Sequence, residues 1–298
     1  MSEREVWVPR RVAVVGAGTM GHGIAQVSAM AGAETVLTDV SDEALASALG
    51  RVRTNLDKGV SLGKVEPDAR DRALAGLSTT TDLSGAASGA ELVVEAVPED
   101  RSLKDRVLTE AEAAAGADAL LATNTSSFSI DELAAGLQRP ERFLGLHFFN
   151  PVYIMGLVEV VHGGRTAPEA LDRAVGFVGA LNKEPVVVRD SPGFASSRLG
   201  VALGLEAMRM VEEGVAEPRD IDRAMELGYR HPMGPLRLSD LIGLDVRLGI
   251  AEYLHETLGG ERFRPPELLR RMVGEGKLGR KTGRGFYDWG AEGDARPA

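Results

Sequence analysis

A glycine cluster near the start of the chain restricts the possible folds more than any other feature. Residues 12–15 are apolar, the run Gly16-Ala17-Gly18-Thr19-Met20-Gly21 follows them, and a segment of helical character comes next. A second apolar run then ends at Asp39. The order strand, G-x-G-x-x-G turn, helix, strand is typical of a βαβ unit that binds a dinucleotide.

Each part of this motif has a physical role in such a unit. Gly16 permits the tight turn, Gly18 lets the backbone approach a pyrophosphate, and Gly21 allows close packing of the helix, whose N-terminus faces the phosphate charge. A carboxylate at Asp39 would bond the adenosine ribose hydroxyls and would repel a 2′-phosphate, which favours NAD over NADP. We therefore predict that the whole motif and Asp39 bind NAD; a glycine-rich turn with no ligand is the alternative.

Strands and helices continue to alternate after this unit. Short apolar runs that are typical of buried strands occur at 91–97, 119–123, 143–147, 156–161 and 185–189. Segments of helical character, such as 102–115 and 129–137, separate them. This alternation predicts an α/β fold, with a Rossmann-type, doubly wound, mostly parallel sheet over 1–189.

The strand signal disappears beyond that point. Helical spacing of apolar residues is present at 197–211, 218–227, 238–258 and 266–273. We therefore predict an all-helical domain over 190–298. Two of these helices carry more apolar surface than a small domain buries alone, which favours a homodimer.

Composition excludes several classes of function. The net charge of -10 argues against binding to nucleic acid or to an anionic membrane, and no apolar run is long enough to span a bilayer. The chain has no cysteine and its charged first residues lack a signal-peptide core, so a cytoplasmic location is expected. The histidines other than His147 show no metal-ligand spacing, so we predict no catalytic metal.

Polar residues at the carboxyl ends of strands are candidate site residues, because open α/β sheets bind their ligands there. Glu99 and Lys104 follow one predicted strand; from spacing alone, a carboxylate at a helix start and a solvated surface lysine are favoured. Ser126 lies in a hydroxyl-rich turn after the next strand. Capping of the following helix, by Ser127 or Ser129, is the alternative role for that turn.

His147 and Glu159 lie in two neighbouring apolar strands. A histidine in such a strand is more often a core residue than a base, but a buried carboxylate needs a partner or costs several kcal/mol. A pair between them satisfies both groups. It also provides what a dehydrogenase needs, since the carboxylate fixes the imidazole tautomer while the other ring nitrogen takes a hydroxyl proton.

Motifs over nearly the whole chain closely resemble those of the L-3-hydroxyacyl-CoA dehydrogenases. They are GAGTMGHGIA at 16–25, VVEAVPED at 93–100, TNTSS at 123–127, HFFNPV at 147–152, LVEVV at 157–161, DSPGF at 190–194, HPMGPL at 231–236 and GRKTGRGFY at 279–287. The resemblance implies NAD-dependent interconversion of 3-hydroxyacyl-CoA and 3-ketoacyl-CoA. It also implies a Rossmann domain followed by a helical domain that forms the dimer.

The resemblance also implies roles for particular residues. Three would be catalytic: His147 as the general base in oxidation, Glu159 as its orienting partner, and Ser126 as the hydrogen-bond partner of the substrate 3-oxygen. Others would lie near the nicotinamide half of NAD, namely Glu99, Lys104, Asn150 and Lys281. For Lys281, a solvated lysine is the alternative.

The implied substrate is an acyl-CoA thioester with a short chain, such as 3-hydroxybutyryl-CoA or acetoacetyl-CoA. Because CoA is anionic, a local group of cations is expected, and the segment after the second strand supplies Arg51, Arg53, Lys58 and Lys64. By resemblance this helical excursion contacts CoA, with Asn55 and Lys64 as the expected contacts. An ordinary solvated helix face is the alternative.

Two positions depart from the family pattern. Ser197 stands where the family's P-G-F-x-x-N-R pattern has a substrate-contacting Asn, and it is shorter but keeps a donor and an acceptor. The VPED form at 97–100 is similar to a related branch that acts on a sugar acid. A sugar-acid or carnitine-type dehydrogenase, and a non-catalytic NAD-binding protein, therefore stay open as alternatives.

Overall fold

The computed structural model describes residues 6–290 and 295–297. The chain forms two compact units, Met1–Ser191 and Pro192–Ala298. The boundary expected from the sequence, after residue 189, lies two residues earlier.

One 8-stranded sheet forms the centre of the first unit. Its strands are β1 (Arg11–Val15), β2 (Glu34–Thr38), β3 (Leu77–Thr80), β4 (Leu92–Glu95), β5 (Leu120–Thr123), β6 (Phe143–Phe148), β7 (Leu157–His162) and β8 (Glu184–Arg189). Their order is β3-β2-β1-β4-β5-β6-β7-β8, and neighbours are parallel except for β6 and β7. Strands β1 to β6 therefore end at a common edge of the sheet.

The strand order reverses between β1 and β4, which is where doubly wound sheets bind ligands. The sequence predicted the other strands of this sheet but not β3. That strand reads Leu-Ser-Thr-Thr and is only partly buried at the sheet edge, so it lacks the apolar run by which a buried strand is recognised.

The first unit also contains the helices that connect these strands. They are α1 (Gly21–Met30), α2 (Asp42–Ser61), α3 (Pro67–Ala75), α4 (Leu83–Ala87), α5 (Arg101–Ala114), α6 (Ile130–Ala134) and α7 (Pro168–Ala180). Side-chain oxygens of Ser41, Asp82, Asp100 and Ser129 accept backbone N–H groups at the starts of α2, α4, α5 and α6. These caps satisfy donors that the first helical turn leaves without partners, so the local sequence sets where each helix begins.

The sheet interior is apolar. Val12 and Val14 of β1, Val94 of β4 and Leu120 of β5 have no exposed surface, and they belong to one core with residues of α1 and α7. Burial of this apolar area is the main driving force for the unit, and it holds the strand ends in fixed positions.

The second unit is mainly helical. Its helices are α8 (Ser196–Glu212), α9 (Pro218–Gly228), α10 (Pro235–Ile242), α11 (Leu244–Leu258) and α12 (Glu267–Gly274). The fold class is confirmed, but two details of this unit differ from the prediction. The single helix expected over 238–258 is broken at Gly243, whose φ of 107° is outside the helical range, and β9 (Tyr287–Trp289) pairs with β10 (Ala295–Pro297) in an antiparallel ladder.

A buried carboxylate connects this ladder to α10. Asp240 accepts hydrogen bonds from the backbone N–H groups of Phe286 and Tyr287, at 3.0 and 2.9 Å, and from Trp289 Nε1 at 3.0 Å. Burial raises the pKa of Asp240, although these three donors favour its charged form. Asp240 therefore organises the end of the second unit.

The helices of the described part of the chain include none that is both long and apolar enough to cross a lipid bilayer.

Asp240→Asn should destabilise the second unit by about 2 kcal/mol. The NH₂ group of the asparagine is itself a donor, so it cannot accept the hydrogen bonds that one carboxylate oxygen of Asp240 accepts. The midpoint of urea unfolding, followed by Trp289 fluorescence, measures this. Asp288→Asn is the control, since its ion pair with Arg284 is exposed and should contribute little. Equal midpoints for the two variants would contradict the role given to Asp240.

Candidate active site

Many of the predicted site residues of the first unit lie at one edge of the sheet. The glycine motif follows β1, Asp39 follows β2, Glu99 follows β4, Ser126 follows β5, and His147 lies near the end of β6. Because these strands are parallel neighbours in the sheet, their ends are adjacent. The sheet therefore brings residues from five separate segments to one edge.

The glycine loop has the shape that a pyrophosphate requires. Gly16 has a φ of 105°, and a Cβ there would lie 2.7 Å from the carbonyl oxygen of Ala96, so a side chain cannot be accommodated. A Cβ at Gly18 would meet no atom within 4 Å. Internal packing therefore does not require glycine at position 18, and the open backbone there fits the approach of a phosphate group.

Asp39 and Arg51 bind the backbone N–H and carbonyl groups of Ala17 in this loop. Asp39 Oδ2 accepts the Ala17 N–H at 2.8 Å and its Oδ1 accepts the Ser41 N–H at 3.2 Å, while Arg51 Nη2 donates to the Ala17 carbonyl at 2.8 Å. Each Asp39 oxygen accepts a single bond here and can accept another, as the predicted ribose contact requires. Arg51, expected among the CoA cations, instead contacts the glycine loop.

His22 also supports the loop. Its Nδ1 lies 2.9 Å from the Gly18 carbonyl oxygen, which can only accept, so this nitrogen carries the hydrogen. Burial lowers the pKa of His22, and the charge of Arg51 lowers it further, against the raising effect of the Gly18 contact. A neutral imidazole here fixes the loop without adding charge.

Lys104 is buried, and the surface position favoured by its spacing is wrong. Its side chain is 1% exposed, and Nζ lies 2.8 and 3.0 Å from the two carboxylate oxygens of Glu95, which is itself fully buried. Glu95 also accepts the Val97 N–H at 2.7 Å and the Thr123 hydroxyl at 2.5 Å. These bonds connect the ends of β4 and β5 to α5 through one buried ion pair.

Glu99 connects this ion pair to the turn that carries Ser126. Its carboxylate lies 3.2 Å from Lys104 Nζ and accepts the hydroxyls of Thr125 and Ser127 and the backbone N–H of Ser126. Burial raises the pKa of Glu99, but the charge of Lys104 and these hydrogen bonds outweigh it and lower the pKa overall. Asp100, and not Glu99, caps α5, so the helix-start role favoured for Glu99 is also wrong.

The turn after β5 has two separate functions. Ser129 caps α6, whereas the Ser127 hydroxyl donates to Glu99 at 2.7 Å. The Ser126 hydroxyl makes no hydrogen bond to another residue in the described part of the chain, and the residue is half-buried. Its backbone is fixed while its hydroxyl remains available to a ligand.

The antiparallel register of β6 and β7 places His147 directly opposite Glu159. His147 Nδ1 lies 2.7 Å from Glu159 Oε2, and the side chains are 6% and 1% exposed. Since a carboxylate can only accept, Nδ1 carries the hydrogen of the neutral imidazole and Nε2 keeps the lone pair. This tautomer is the one that a general base requires.

Two asparagines lie close to the end of β6. Asn124 accepts the backbone N–H of Phe148 at 2.9 Å and so holds β6 against the loop after β5. Asn150 is exposed in the loop that follows β6, at the same edge of the sheet. A nicotinamide contact for Asn150 stays a prediction.

The two expected CoA contacts, Asn55 and Lys64, differ in exposure and in hydrogen bonding. Asn55 is half-buried, and its amide donates to Gln26 Oε1 at 3.2 Å, which links α2 to α1. Lys64 is exposed in the turn between α2 and α3. Lys64 is therefore accessible to an anion, whereas the Asn55 amide is already engaged.

Two predicted site residues belong to the second unit. Ser197 is half-buried in the first turn of α8. Lys281 is partly exposed, and its Nζ forms an ion pair with Asp245 Oδ2 at 2.6 Å. Within residues 6–290 and 295–297, no group of three or more histidine, aspartate and glutamate side chains could hold a metal ion.

Sequence analysis missed Glu95, Arg51 and His22 as members of this edge. Glu95 could have been found, because a carboxylate in the apolar run 91–97 needs a buried partner for the same reason as Glu159. Arg51 and His22 give no such signal, since each is polar in a helix and its contact with the loop depends on tertiary structure.

Lys104→Met should destabilise the first unit by about 3 kcal/mol, because it leaves Glu95 as a buried charge without its cation. The double variant Glu95→Gln/Lys104→Met should recover most of that loss. Urea unfolding measures both, with Lys277→Met, which removes an exposed ion pair, as the matched control. A double variant less stable than Lys104→Met would contradict this account.

Comparisons with known proteins show the family of the chain. Residues 11–191 match the model of the 3-hydroxyacyl-CoA dehydrogenase NAD binding domain, and residues 193–289 match that of the 3-hydroxyacyl-CoA dehydrogenase C-terminal domain. The 3-hydroxybutyryl-CoA dehydrogenase of Mycobacterium tuberculosis is 45% identical over 94% of this chain and 98% of its own length. That of Bradyrhizobium diazoefficiens is 43% identical over 95% of this chain and 96% of its own.

A solved structure gives the same result. The (S)-3-hydroxybutyryl-CoA dehydrogenase PaaH1 from Ralstonia eutropha superimposes with a TM-score of 0.91 and 40% identity, covering 95% of this chain and 99% of that one. The family expected from the sequence motifs is confirmed. The chain belongs to the 3-hydroxyacyl-CoA dehydrogenase family.

Proposed function

We propose that this protein interconverts (S)-3-hydroxyacyl-CoA and 3-ketoacyl-CoA with NAD, and that its acyl chains are short, as in 3-hydroxybutyryl-CoA and acetoacetyl-CoA. The observation that carries the proposal is the buried His147–Glu159 contact at the sheet edge that also holds the glycine loop. The names of the two bacterial relatives support the short chain.

NAD, when bound, accepts the hydride that leaves C3 of the hydroxyacyl group. The glycine motif from Gly16 to Gly21 would hold its pyrophosphate, and Asp39 its adenosine ribose. Glu99, Lys104, Asn150 and Lys281 are proposed near its nicotinamide end. For Lys104 this role is indirect, since Nζ is enclosed by Glu95 and Glu99 and acts on their positions.

His147 moves the proton of the reaction. In oxidation Nε2 takes the proton of the 3-hydroxyl as the C–H bond gives up its hydride, so that the alcohol becomes a ketone. Glu159 holds the ring through Nδ1 and stabilises the positive charge that the imidazole gains. In reduction the same nitrogen returns the proton to the 3-oxygen.

Ser126 positions the substrate oxygen. Its hydroxyl has no partner among the described residues, while its backbone is held by Glu99. A donor fixed in this way favours one orientation of the 3-oxygen, which reduces the entropy lost on the way to the transition state. Lys64 and Asn55 are proposed contacts of CoA, and Ser197 is a proposed contact of the acyl thioester.

We also propose that the protein is a homodimer formed by the helical unit. Large apolar side chains are exposed on α8 and α10–α11, among them Leu199 at 72%, Val246 at 43% and Ile242 at 41%. Exposed apolar groups of this size favour association. Sedimentation velocity tests whether the protein is a dimer.

The cytoplasmic location expected from the sequence stays a prediction.

The direct test of the activity is oxidation of NADH by the purified protein with acetoacetyl-CoA. Longer 3-ketoacyl-CoA thioesters, an oxo sugar acid and dehydrocarnitine serve as competing substrates. Turnover of a CoA thioester, fastest at short chain length, is the expected result. Turnover of a non-thioester alone would overturn the substrate assignment, and binding of NADH without any turnover would favour a non-catalytic protein.

Asp39→Ala should raise the dissociation constant for NADH about 10-fold and improve relative binding of NADPH, because ribose hydrogen bonds and the repulsion of a 2′-phosphate are both lost. Fluorescence titration with each nucleotide measures this. Asp39→Asn keeps an acceptor near Ala17 without the charge, and Glu43→Gln, at an exposed position of α2, is the control. An unchanged preference in both Asp39 variants would count against the ribose contact.

A further inference from the structure

Arg51 of α2 is a cation at the glycine loop that is not paired with a carboxylate. Its Nη2 donates to the Ala17 carbonyl at 2.8 Å, and within residues 6–290 and 295–297 this is the one hydrogen bond of the guanidinium, which forms no ion pair there. The residue is half-buried: Nε is enclosed, whereas Nη1 is not. Since a guanidinium has five N–H donors, most of them remain for a ligand.

Asp39 and Arg51 contact the same residue of the loop. Asp39 Oδ2 accepts the Ala17 N–H at 2.8 Å, and Arg51 donates to the carbonyl of that residue. The carboxylate and the guanidinium are therefore neighbours, with the backbone of Ala17 between them. Because Asp39 is the proposed ribose contact, Arg51 lies beside the adenosine end of the proposed NAD site.

The side chains that bond to the glycine loop carry one negative and one positive charge. They are Asp39, Arg51 and His22, and burial lowers the pKa of His22, so that its imidazole is neutral at pH 7. A 2′-phosphate carries about two negative charges at that pH. Asp39 repels such a group, whereas a guanidinium fork matches phosphate oxygens. The loop thus has one side chain that opposes NADP and one that suits its additional phosphate.

We propose that Arg51 is a second specificity-determining residue for the cofactor: its guanidinium binds the 2′-phosphate of NADPH, which the protein takes as a weaker alternative to NADH. Asp39 keeps NAD as the preferred cofactor. The proposal rests on the proposed function, because that function places the adenosine ribose at Asp39. The pyrophosphate is not the partner proposed for Arg51, since both nucleotides carry it and the backbone of the glycine motif would hold it.

Support of the loop by Arg51 and binding of a 2′-phosphate have different consequences. Loss of support at Ala17 weakens NADH and NADPH alike, because the two nucleotides share the pyrophosphate. Loss of a contact with the 2′-phosphate weakens NADPH alone. The ratio of the two dissociation constants, NADPH to NADH, therefore isolates the proposed contact.

The test measures this ratio by fluorescence titration of the purified protein with each nucleotide. Arg51→Met should raise the ratio about 10-fold, which is the lower end of what a hydrogen bond to a charged group contributes. Arg51→Lys should raise it less, since lysine keeps the charge but not the fork. Arg72→Met removes the same charge at an exposed position of α3 and should leave the ratio unchanged.

A double variant tests whether Arg51 is the group that Asp39 opposes. Asp39→Ala should lower the ratio of NADPH to NADH dissociation constants, because the repulsion of the 2′-phosphate is lost. Asp39→Ala/Arg51→Met should lose most of that gain, because the cation is then absent as well. A ratio as low in the double variant as in Asp39→Ala would show that Arg51 makes no contact with the 2′-phosphate.

The other outcomes separate this inference from the proposed function. If Arg51→Met raises both dissociation constants by the same factor, Arg51 acts on the loop or on the pyrophosphate and the inference is wrong. If the wild-type protein does not bind NADH, the proposed function fails and the inference fails with it. Because no thioester is present in the titration, an error in the substrate assignment leaves this test unaffected.

Discussion

The hydrogen bond between His147 and Glu159 depends on a single feature of the topology. Strand β7 runs against β6, whereas the strands before it are parallel, and this reversal places the two residues directly opposite each other. A carboxylate in a buried strand is unfavourable unless it is paired, and a histidine in a buried strand adopts whichever tautomer its neighbour selects. This contact therefore gives Glu159 a partner, places the hydrogen on Nδ1 and leaves the lone pair on Nε2.

The need to pair a buried carboxylate also determines the structure of the loops after β4 and β5. Glu95 is as buried as Glu159 and is neutralised by Lys104, and Glu99 extends this ion pair to the turn that carries Ser126. The two buried carboxylates thus have different consequences: Glu159 determines the tautomer of an imidazole, and Glu95, through Lys104 and Glu99, helps to fix the turn that carries Ser126. Glu95 ends β4, and Glu159 lies opposite His147 near the end of β6, so both are close to the sheet edge that also carries the glycine loop.

Much of the fold could be predicted from the sequence, because buried strands and amphipathic helices leave periodic patterns and the G-x-G-x-x-G turn has a specific context. The edge strand β3 and the ladder of β9 and β10 could not, since Leu77–Thr80 has little apolar character and Tyr287–Trp289 is a short segment whose position depends on Asp240. Lys104 was assigned to the surface because spacing on a helix shows its face but not a buried carboxylate on a neighbouring strand.

The central claim is that Glu159 acts through His147. A double-mutant cycle tests it directly, with kcat for acetoacetyl-CoA reduction measured for His147→Gln, Glu159→Gln and the double variant, and NADH affinity measured for each. The account predicts that His147→Gln leaves only a residual turnover, that Glu159→Gln costs about 10²- to 10⁴-fold, and that the double variant is no slower than His147→Gln while NADH affinity is retained. Near-normal turnover of His147→Gln, or losses that multiply in the double variant, would contradict it.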